Sequence, residues 1–182
     1  MTYRPYAGIG SRETPENILR KMQFIAEVLA EHGFTLRSGH AEGADQAFEK
    51  GCDNVKGDKE IFLPWSGFNG SDSPRHGFSS SIQHKLCKAI AMSTHPNWGA
   101  CSEAAQKLHM RNVKQVLGET LVEGQKSLFV ICWTPKGKGT GGTGQAIRLA
   151  QTYEIPVFDF GKGPIEKTMA AIEAEVTKHI TH

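Results

Sequence analysis

Hydrophobic positions along the chain follow two alternating patterns. Short apolar runs, which are typical of strands, alternate with segments in which apolar residues recur every three or four positions, as in helices. The first helical segment has this spacing at Ile18, Met22, Ile25, Ala26, Leu29 and Ala30. Thr14 is suited to cap this helix, Pro15 to occupy its first position, and Gly33 to end it.

The apolar runs predict five strands, at residues 3–9, 34–37, 60–63, 127–133 and 156–160. After the second strand a helix is expected to run to Gly51, and further helices at 81–92, 100–118, 143–153 and 163–179. Strands that alternate with helices form mainly parallel sheets with right-handed crossovers. We therefore expect an α/β fold over residues 1–182, a single three-layer domain with helices on both faces of the sheet.

One stretch departs from this alternation. Residues 64–80 are rich in Gly, Ser, Asp and Pro, which predicts a long loop or lid. We interpret residues 64–98 as a loop-rich insertion in the domain.

Charge and cysteine content narrow the function classes. The formal net charge is only +2, whereas dedicated nucleic-acid-binding domains are usually strongly basic. The four cysteines match no zinc-binding spacing, so we expect reduced thiols, no metal and no cofactor. No apolar run approaches the ~20 residues of a membrane span, and the N-terminal segment lacks a signal-peptide pattern. These features predict a cytoplasmic protein without a membrane partner.

Candidate ligand-binding residues follow the first predicted strand. Gly10 allows the backbone to approach a ligand closely, and Ser11 and Arg12 can donate hydrogen bonds to an anion. The amides at the start of the following helix also attract phosphate. The alternative is a tight turn with a solvated arginine.

The second predicted strand ends in another run of small residues. The backbone around Ser38, Gly39 and Gly43 could hold a phosphate or a ribose. Glu42 and Asp45 add carboxylates, which suit ribose hydroxyls or general-base chemistry better than phosphate. Alternatively, Asp45 only interacts with the dipole of the helix that it begins.

The strongest signal for an anion or nucleotide site precedes the helix predicted at 143–153. Gly139, Thr140, Gly141, Gly142 and Thr143 belong to a run whose glycines are costly in chain entropy, and whose threonines add hydroxyl donors. The run lacks the lysine of a Walker loop and the full dinucleotide fingerprint. A flexible surface turn is the alternative. An aromatic residue near these loops could stack on a base; the candidates are Trp65, Phe68, Trp98 and Trp133.

Taken in order, these motifs resemble the SLOG superfamily, which includes LOG-type phosphoribohydrolases and the DNA-processing protein DprA. The likeness is carried by the segments AGIGSR, LRSGHAEGADQAFEKG and GTGGTGQAIRLAQTYEIPVF. The second segment fits the SGxAxGxD pattern of DprA at Ser38, Gly39, Ala41, Gly43 and Asp45. The resemblance implies a Rossmann-like fold and allows a homodimer.

A second likeness points to the LOG branch. Its MHxRK segment carries a catalytic arginine, and Arg111 occupies the matching place here. The LOG glutamate that should follow the glycine loop is replaced by Ala146, with Gln145 beside it. Neither residue can supply a negative charge, so the resemblance retains the phosphate-binding half of the site and puts hydrolysis in question.

Three functions follow from these observations. The first is a sensor or capture protein for a nucleotide or ADP-ribose-like ligand. The second is a hydrolase of the N-glycosidic bond of nucleoside monophosphates, in which Arg111 holds the substrate and Asp45 or Glu42 replaces the missing acid. The third is a DprA-like protein that binds single-stranded DNA. The expected partner in the first two is a small-molecule nucleotide.

Overall fold

The computed structural model describes residues 2–180, which form five strands and six α-helices. The strands are β1 (Pro5–Gly8), β2 (Thr35–Ser38), β3 (Lys59–Ile61), β4 (Val130–Cys132) and β5 (Val157–Asp159). The helices are α1 (Glu16–Glu31), α2 (Ala44–Asn54), α3 (Ser81–Thr94), α4 (Glu103–Leu117), α5 (Gly141–Thr152) and α6 (Ile165–Ile180). Every predicted strand and helix overlaps one of these elements.

The strands form one sheet in the order β3-β2-β1-β4-β5, and each neighbouring pair is parallel. Helices α1, α2 and α6 bury apolar side chains on one face, and α3, α4 and α5 on the other. The predicted three-layer α/β architecture is therefore confirmed. Because chain order reverses at β1, the ends of β1 and β4 diverge there, which is where ligands bind in open parallel sheets.

Two helix starts differ from the sequence-based boundaries. Thr14 does not cap α1; its hydroxyl instead donates to the Ser11 carbonyl at 2.6 Å, and α1 begins at Glu16 after Pro15. Helix α5 begins at Gly141, two residues before the predicted start, so glycines occupy its first turn. Tertiary context outweighs the low helix propensity of glycine at this position.

The Gly- and Ser-rich segment at 64–80 is tied to the edge of the sheet. The Ser73 hydroxyl donates to the Ile61 carbonyl at 2.5 Å, and the Leu63 amide donates to the Arg75 carbonyl at 2.9 Å. A 3-10 turn at Phe68–Gly70 buries Phe68. These bonds satisfy backbone groups that an edge strand such as β3 would otherwise expose. Within residues 2–180 there is no helix long and apolar enough to cross a membrane.

Arg37 of β2 is buried and links three separate parts of the chain. Its Nε donates to Glu60 Oε2 at 2.7 Å, its Nη1 to the Gln125 carbonyl at 2.6 Å, and its Nη2 to the Tyr3 hydroxyl at 2.8 Å. These bonds hold β2 against β3 and against the segment that leads to β4. They therefore help to fix the strand whose end supplies the second candidate loop.

Replacing Arg37 with Leu should lower the free energy of unfolding by about 2–4 kcal/mol, because the partly buried Glu60 carboxylate loses its nearest charged partner and the Gln125 carbonyl loses a buried donor. Urea denaturation followed by circular dichroism measures this change. Arg20→Leu is the control, because the Arg20–Glu16 pair is exposed and should contribute less than about 0.5 kcal/mol. Equal losses in the two variants would contradict the structural role of Arg37.

Candidate functional site

A cavity of about 340 Å³ lies at the carboxyl end of the sheet, where the loops after β1, β2 and β4 meet. Its walls also include residues of α4 and Phe68. Nine of the predicted site residues line it: Gly10, Ser11, Arg12, Asp45, Arg111, Thr140, Gly141, Gly142 and Thr143. The structure thus brings together residues from four separate parts of the sequence.

The loop after β1 forms the exposed edge of the cavity. The Ser11 hydroxyl accepts a hydrogen bond from the Glu13 amide at 3.0 Å, which closes a compact turn. Arg12 and Glu13 are exposed and line the cavity. Arg12 can therefore reach a ligand from solvent without losing a buried partner.

Asp45 lies in the first turn of α2, and only 3% of its surface is exposed. Its carboxylate accepts from the Ala41 amide at 3.3 Å and also from the Gly10 and Gly39 amides. Burial raises the pKa of Asp45 to about 6, although the positive charge of Arg111 and these amides counteract the shift. Asp45 therefore joins the first two loops and titrates near neutral pH.

Arg111 lies in α4 with 8% of its surface exposed. Its Nη1 donates to the Gly39 carbonyl at 2.7 Å, its Nε donates to Asn112 Oδ1 at 3.1 Å, and the guanidinium carbon lies 5.7 Å from the centre of the Phe68 ring. Burial lowers the pKa of Arg111, and nearby Asp45 opposes that effect. The guanidinium retains further N–H donors for a ligand.

The close approach of Arg111 requires glycine at position 39. A Cβ atom there would overlap Arg111 Nη1. Gly43 meets two constraints, because its φ of +84° lies in the left-handed region and a Cβ atom there would lie only 2.8 Å from the Ser11 carbonyl oxygen. These two glycines shape the site by leaving room for other groups.

The glycine run after β4 is anchored at its base. The Thr134 hydroxyl donates to Asp159 Oδ2 at 2.5 Å and accepts from the Gly139 amide at 3.1 Å. Beyond this anchor, α5 begins with no side chain capping its N-terminal amides. The first amides of a helix have no partner within the helix, so those near Gly141 and Gly142 can bind a ligand in the cavity.

Five predicted site residues do not line the cavity: Ser38, Gly39, Glu42, Gly43 and Gly139. Ser38 is fully buried, and its hydroxyl donates to the Gly8 carbonyl at 2.6 Å. Glu42 is exposed outside the cavity. Gly39, Gly43 and Gly139 belong to the surrounding loops but do not face the cavity. Ligand contact by these five residues remains a prediction.

The positions aligned with the LOG glutamate differ in their surroundings. Ala146 lines the cavity, so the wall is apolar there. Gln145 is buried, and its Nε2 donates to the Thr94 hydroxyl at 2.9 Å. The carboxylates that line the cavity are Asp45 and, at the exposed edge, Glu13.

Several cavity residues were absent from the sequence-based set: Glu13, Ala41, Leu108, Asn112 and Gln115. Asn112 Nδ2 donates to the Gly142 carbonyl and to Gln145 Oε1, both at 3.1 Å, and so connects α4 to the glycine run. Its position next to Arg111 and one helical turn after Leu108 could have indicated it. Phe68, one of the candidate base-stacking residues, also lines the cavity.

Known proteins resemble this chain in their structures and not in their sequences. A scan against models of known protein families found no match, and neither did a search of curated protein sequences. Among solved structures, the molybdenum cofactor carrier protein of Chlamydomonas reinhardtii is similar, with a TM-score of 0.53 and 18% identity over 94% of this chain and 86% of that one. A second structure of this carrier protein gives a TM-score of 0.54 and 19% identity.

DNA processing protein A is also similar. The Streptococcus pneumoniae structure has a TM-score of 0.51 and 12% identity, and covers 96% of this chain and 56% of that one. The Helicobacter pylori protein, described for its single-stranded DNA binding mode, has a TM-score of 0.49 and 18% identity, and this chain spans 65% of its length. The chain therefore shares a Rossmann-like α/β fold with the carrier protein and with the Streptococcus pneumoniae protein, as its motifs predict.

The raised pKa of Asp45 predicts a pH-dependent stability. The folded chain holds a proton on Asp45 up to about pH 6, whereas the unfolded chain releases it near the ordinary aspartate pKa of 3.8, so this contribution to stability is lost as the pH rises through that window. Between pH 4 and pH 7 the loss should be about 2 kcal/mol relative to Asp45→Asn. Urea denaturation of both chains at the two pH values measures it, and parallel pH curves would contradict it.

Proposed function

We propose that the chain binds a nucleotide or ADP-ribose-like ligand by its phosphates, as a sensor or capture protein. One observation carries this proposal: the uncapped N-terminus of α5 and the exposed Arg12 side chain line the same cavity. Backbone amides and an arginine that converge on one space are a common arrangement for binding phosphate.

Charge favours this edge of the cavity as the phosphate end. The N-terminus of α5 carries the positive end of the helix dipole, and Arg12 adds a full positive charge. The two carboxylates of the cavity are placed differently: Asp45 is buried beneath the loops, and Glu13 is exposed to solvent. A phosphate between α5 and Arg12 therefore meets donors, while the buried carboxylate remains available to ribose hydroxyls.

The rest of the cavity suits a nucleoside. Its volume of about 340 Å³ falls at the lower end of the range for small-molecule sites. Phe68, Leu108 and Ala146 supply apolar surface, and Arg111 supplies further donors. The fold is compatible with binding without turnover, because the Chlamydomonas protein that shares it is a cofactor carrier.

We expect Arg12→Gln to weaken binding of a nucleotide about 10- to 100-fold, because a charged hydrogen bond to phosphate is lost. Isothermal titration calorimetry with AMP, ADP, ADP-ribose and NAD measures the change. Arg20→Gln removes the same charge from the exposed face of α1 and should bind as the wild type does.

Two results would contradict the proposal: no binding of any of these compounds, or equal weakening in Arg12→Gln and Arg20→Gln. A single-stranded oligonucleotide is titrated in parallel at two salt concentrations. Affinity for the oligonucleotide that falls steeply with salt, without nucleotide binding, would favour the DprA-like function instead.

Asp45 favours a second candidate, hydrolysis of the N-glycosidic bond of a nucleoside monophosphate. Its pKa of about 6 leaves it mostly ionised at pH 7, and its carboxylate lines the cavity together with Arg111. An ionised carboxylate can stabilise the positive charge that develops on the ribose, or accept a proton from the attacking water. Asp45 would thus take the role of the LOG glutamate, whose position here is occupied by Ala146.

If this reaction occurs, Asp45→Asn should slow release of the free base about 100-fold or more, since general acid–base groups contribute at least this much. The wild-type rate should fall as the pH drops through about 6, where Asp45 gains its proton. Chromatography of the released base gives the rate, and calorimetry checks that binding persists.

The other carboxylates serve as matched controls. Glu42→Gln tests the other acid predicted from the sequence, which is exposed outside the cavity, and Glu13→Gln tests the carboxylate at the exposed edge. A larger loss of base release in either variant than in Asp45→Asn would assign the acid to that residue instead. Wild-type protein that binds a nucleotide and returns it intact would exclude hydrolysis and leave the capture function standing.

A further inference from the structure

A cluster of three potential metal ligands lies outside the cavity. His95 directly follows α3, Cys101 follows the 3-10 turn at Trp98–Ala100, and His109 lies in α4. One ligand atom from each side chain lies within 4.8 Å of the other two. The loop between α3 and α4 thus folds back and brings the Cys101 thiol and the His95 imidazole next to the imidazole of His109.

The distance between the Cys101 sulfur and the His95 ring is close to that of a tetrahedral site. Zinc–sulfur and zinc–nitrogen bonds of about 2.3 and 2.0–2.1 Å place sulfur and nitrogen about 3.6 Å apart at tetrahedral angles. Cys101 Sγ lies 3.6 Å from Nε2 and 3.8 Å from Nδ1 of His95. Little movement of the side chains is therefore needed to bring both onto one ion.

His109 gives independent support for a ligand. It is 8% exposed, and its Nδ1 has no hydrogen-bond partner among residues 2–180. A buried polar atom without a partner is unusual and needs an explanation. The Gln145 side chain lies near the His109 ring and can hold the other ring nitrogen. Histidines that bind metals typically hold their second nitrogen in this way, which orients the free nitrogen toward the ion.

The existing contacts of His95 are compatible with this role. Its Nδ1 accepts from the Asn97 amide at 3.1 Å, a bond that metal binding through either nitrogen would displace. Asn97 is exposed, so water can replace the lost acceptor. The rings of His95 and His109 lie 4.5 Å apart between centres, and Trp98 covers them at 6.2 and 6.3 Å.

We propose that His95, Cys101 and His109 bind a divalent transition metal of the zinc class. A thiolate and two imidazoles suit zinc and exclude magnesium and calcium, which prefer oxygen ligands. Water completes the fourth position. The ion links the end of α3 to α4, and this site is independent of the nucleotide cavity and of the function proposed for it.

Untagged, reduced protein is freed of metal with a chelator and then titrated with Co²⁺ and with Zn²⁺. Binding of Co²⁺ should produce the thiolate-to-metal charge-transfer band and the strong visible absorption of a tetrahedral ion. Elemental analysis after Zn²⁺ loading and gel filtration should find about one zinc per chain. A folded, reduced chain that gives neither signal would overturn the proposal.

Variants assign the ligands. Cys101→Ser and His95→Gln should lower Zn²⁺ affinity by at least about 100-fold, beyond the roughly 10- to 100-fold effect of groups that only orient ligands. Cys101→Ser should also abolish the charge-transfer band. His84→Gln removes an exposed imidazole from α3 outside the cluster and should bind as the wild type does. Unchanged affinity in Cys101→Ser or His95→Gln would overturn the assignment.

A measurement on the unmodified chain avoids any dependence on how the variants fold. Zn²⁺ should protect Cys101 from alkylation, because a coordinated thiolate is a poor nucleophile. Peptide mass spectrometry reports each cysteine separately, and the buried Cys52, Cys87 and Cys132 are internal references. Alkylation of Cys101 at the same rate with and without Zn²⁺ would contradict the proposal.

Discussion

The buried guanidinium of Arg111 constrains the whole cavity. A charge removed from water must find acceptors, and this one bonds to the Gly39 carbonyl and to Asn112, with Asp45 supplying the opposing charge. Each of these partners comes from a different part of the site. The loop after β2, the start of α2 and the middle of α4 are therefore fixed relative to one another by one side chain.

The sequence predicted the fold better than it predicted the site. Periodicity and short apolar runs located every strand and helix of residues 2–180. Arg111 and Asp45 emerged from their motifs, and both line the cavity. Ser38 and Gly39 belong to the same motif as Asp45, but they do not line the cavity: Ser38 bonds to the Gly8 carbonyl, and Gly39 leaves room for Arg111. A sequence motif does not say which of its groups point toward a ligand.

Other features had no signal in the sequence. Gln115 looks like an ordinary polar position of an amphipathic helix, and only tertiary packing places it in the cavity. His95, Cys101 and His109 are separated by intervals that match no metal-binding spacing. They meet because the loop after α3 turns back over α4.

The uncapped start of α5 has a consequence for how such a site can change. Main-chain amides belong to every residue except proline, so an anion held by them is insensitive to most side-chain replacements that preserve the local backbone. The groups facing the other end of the ligand, including Asp45 and Ala146, are side chains that a single substitution can alter. If the chain binds phosphate as we propose, substitutions at these side chains can change the chemistry of the site while the main-chain contacts to the phosphate are kept.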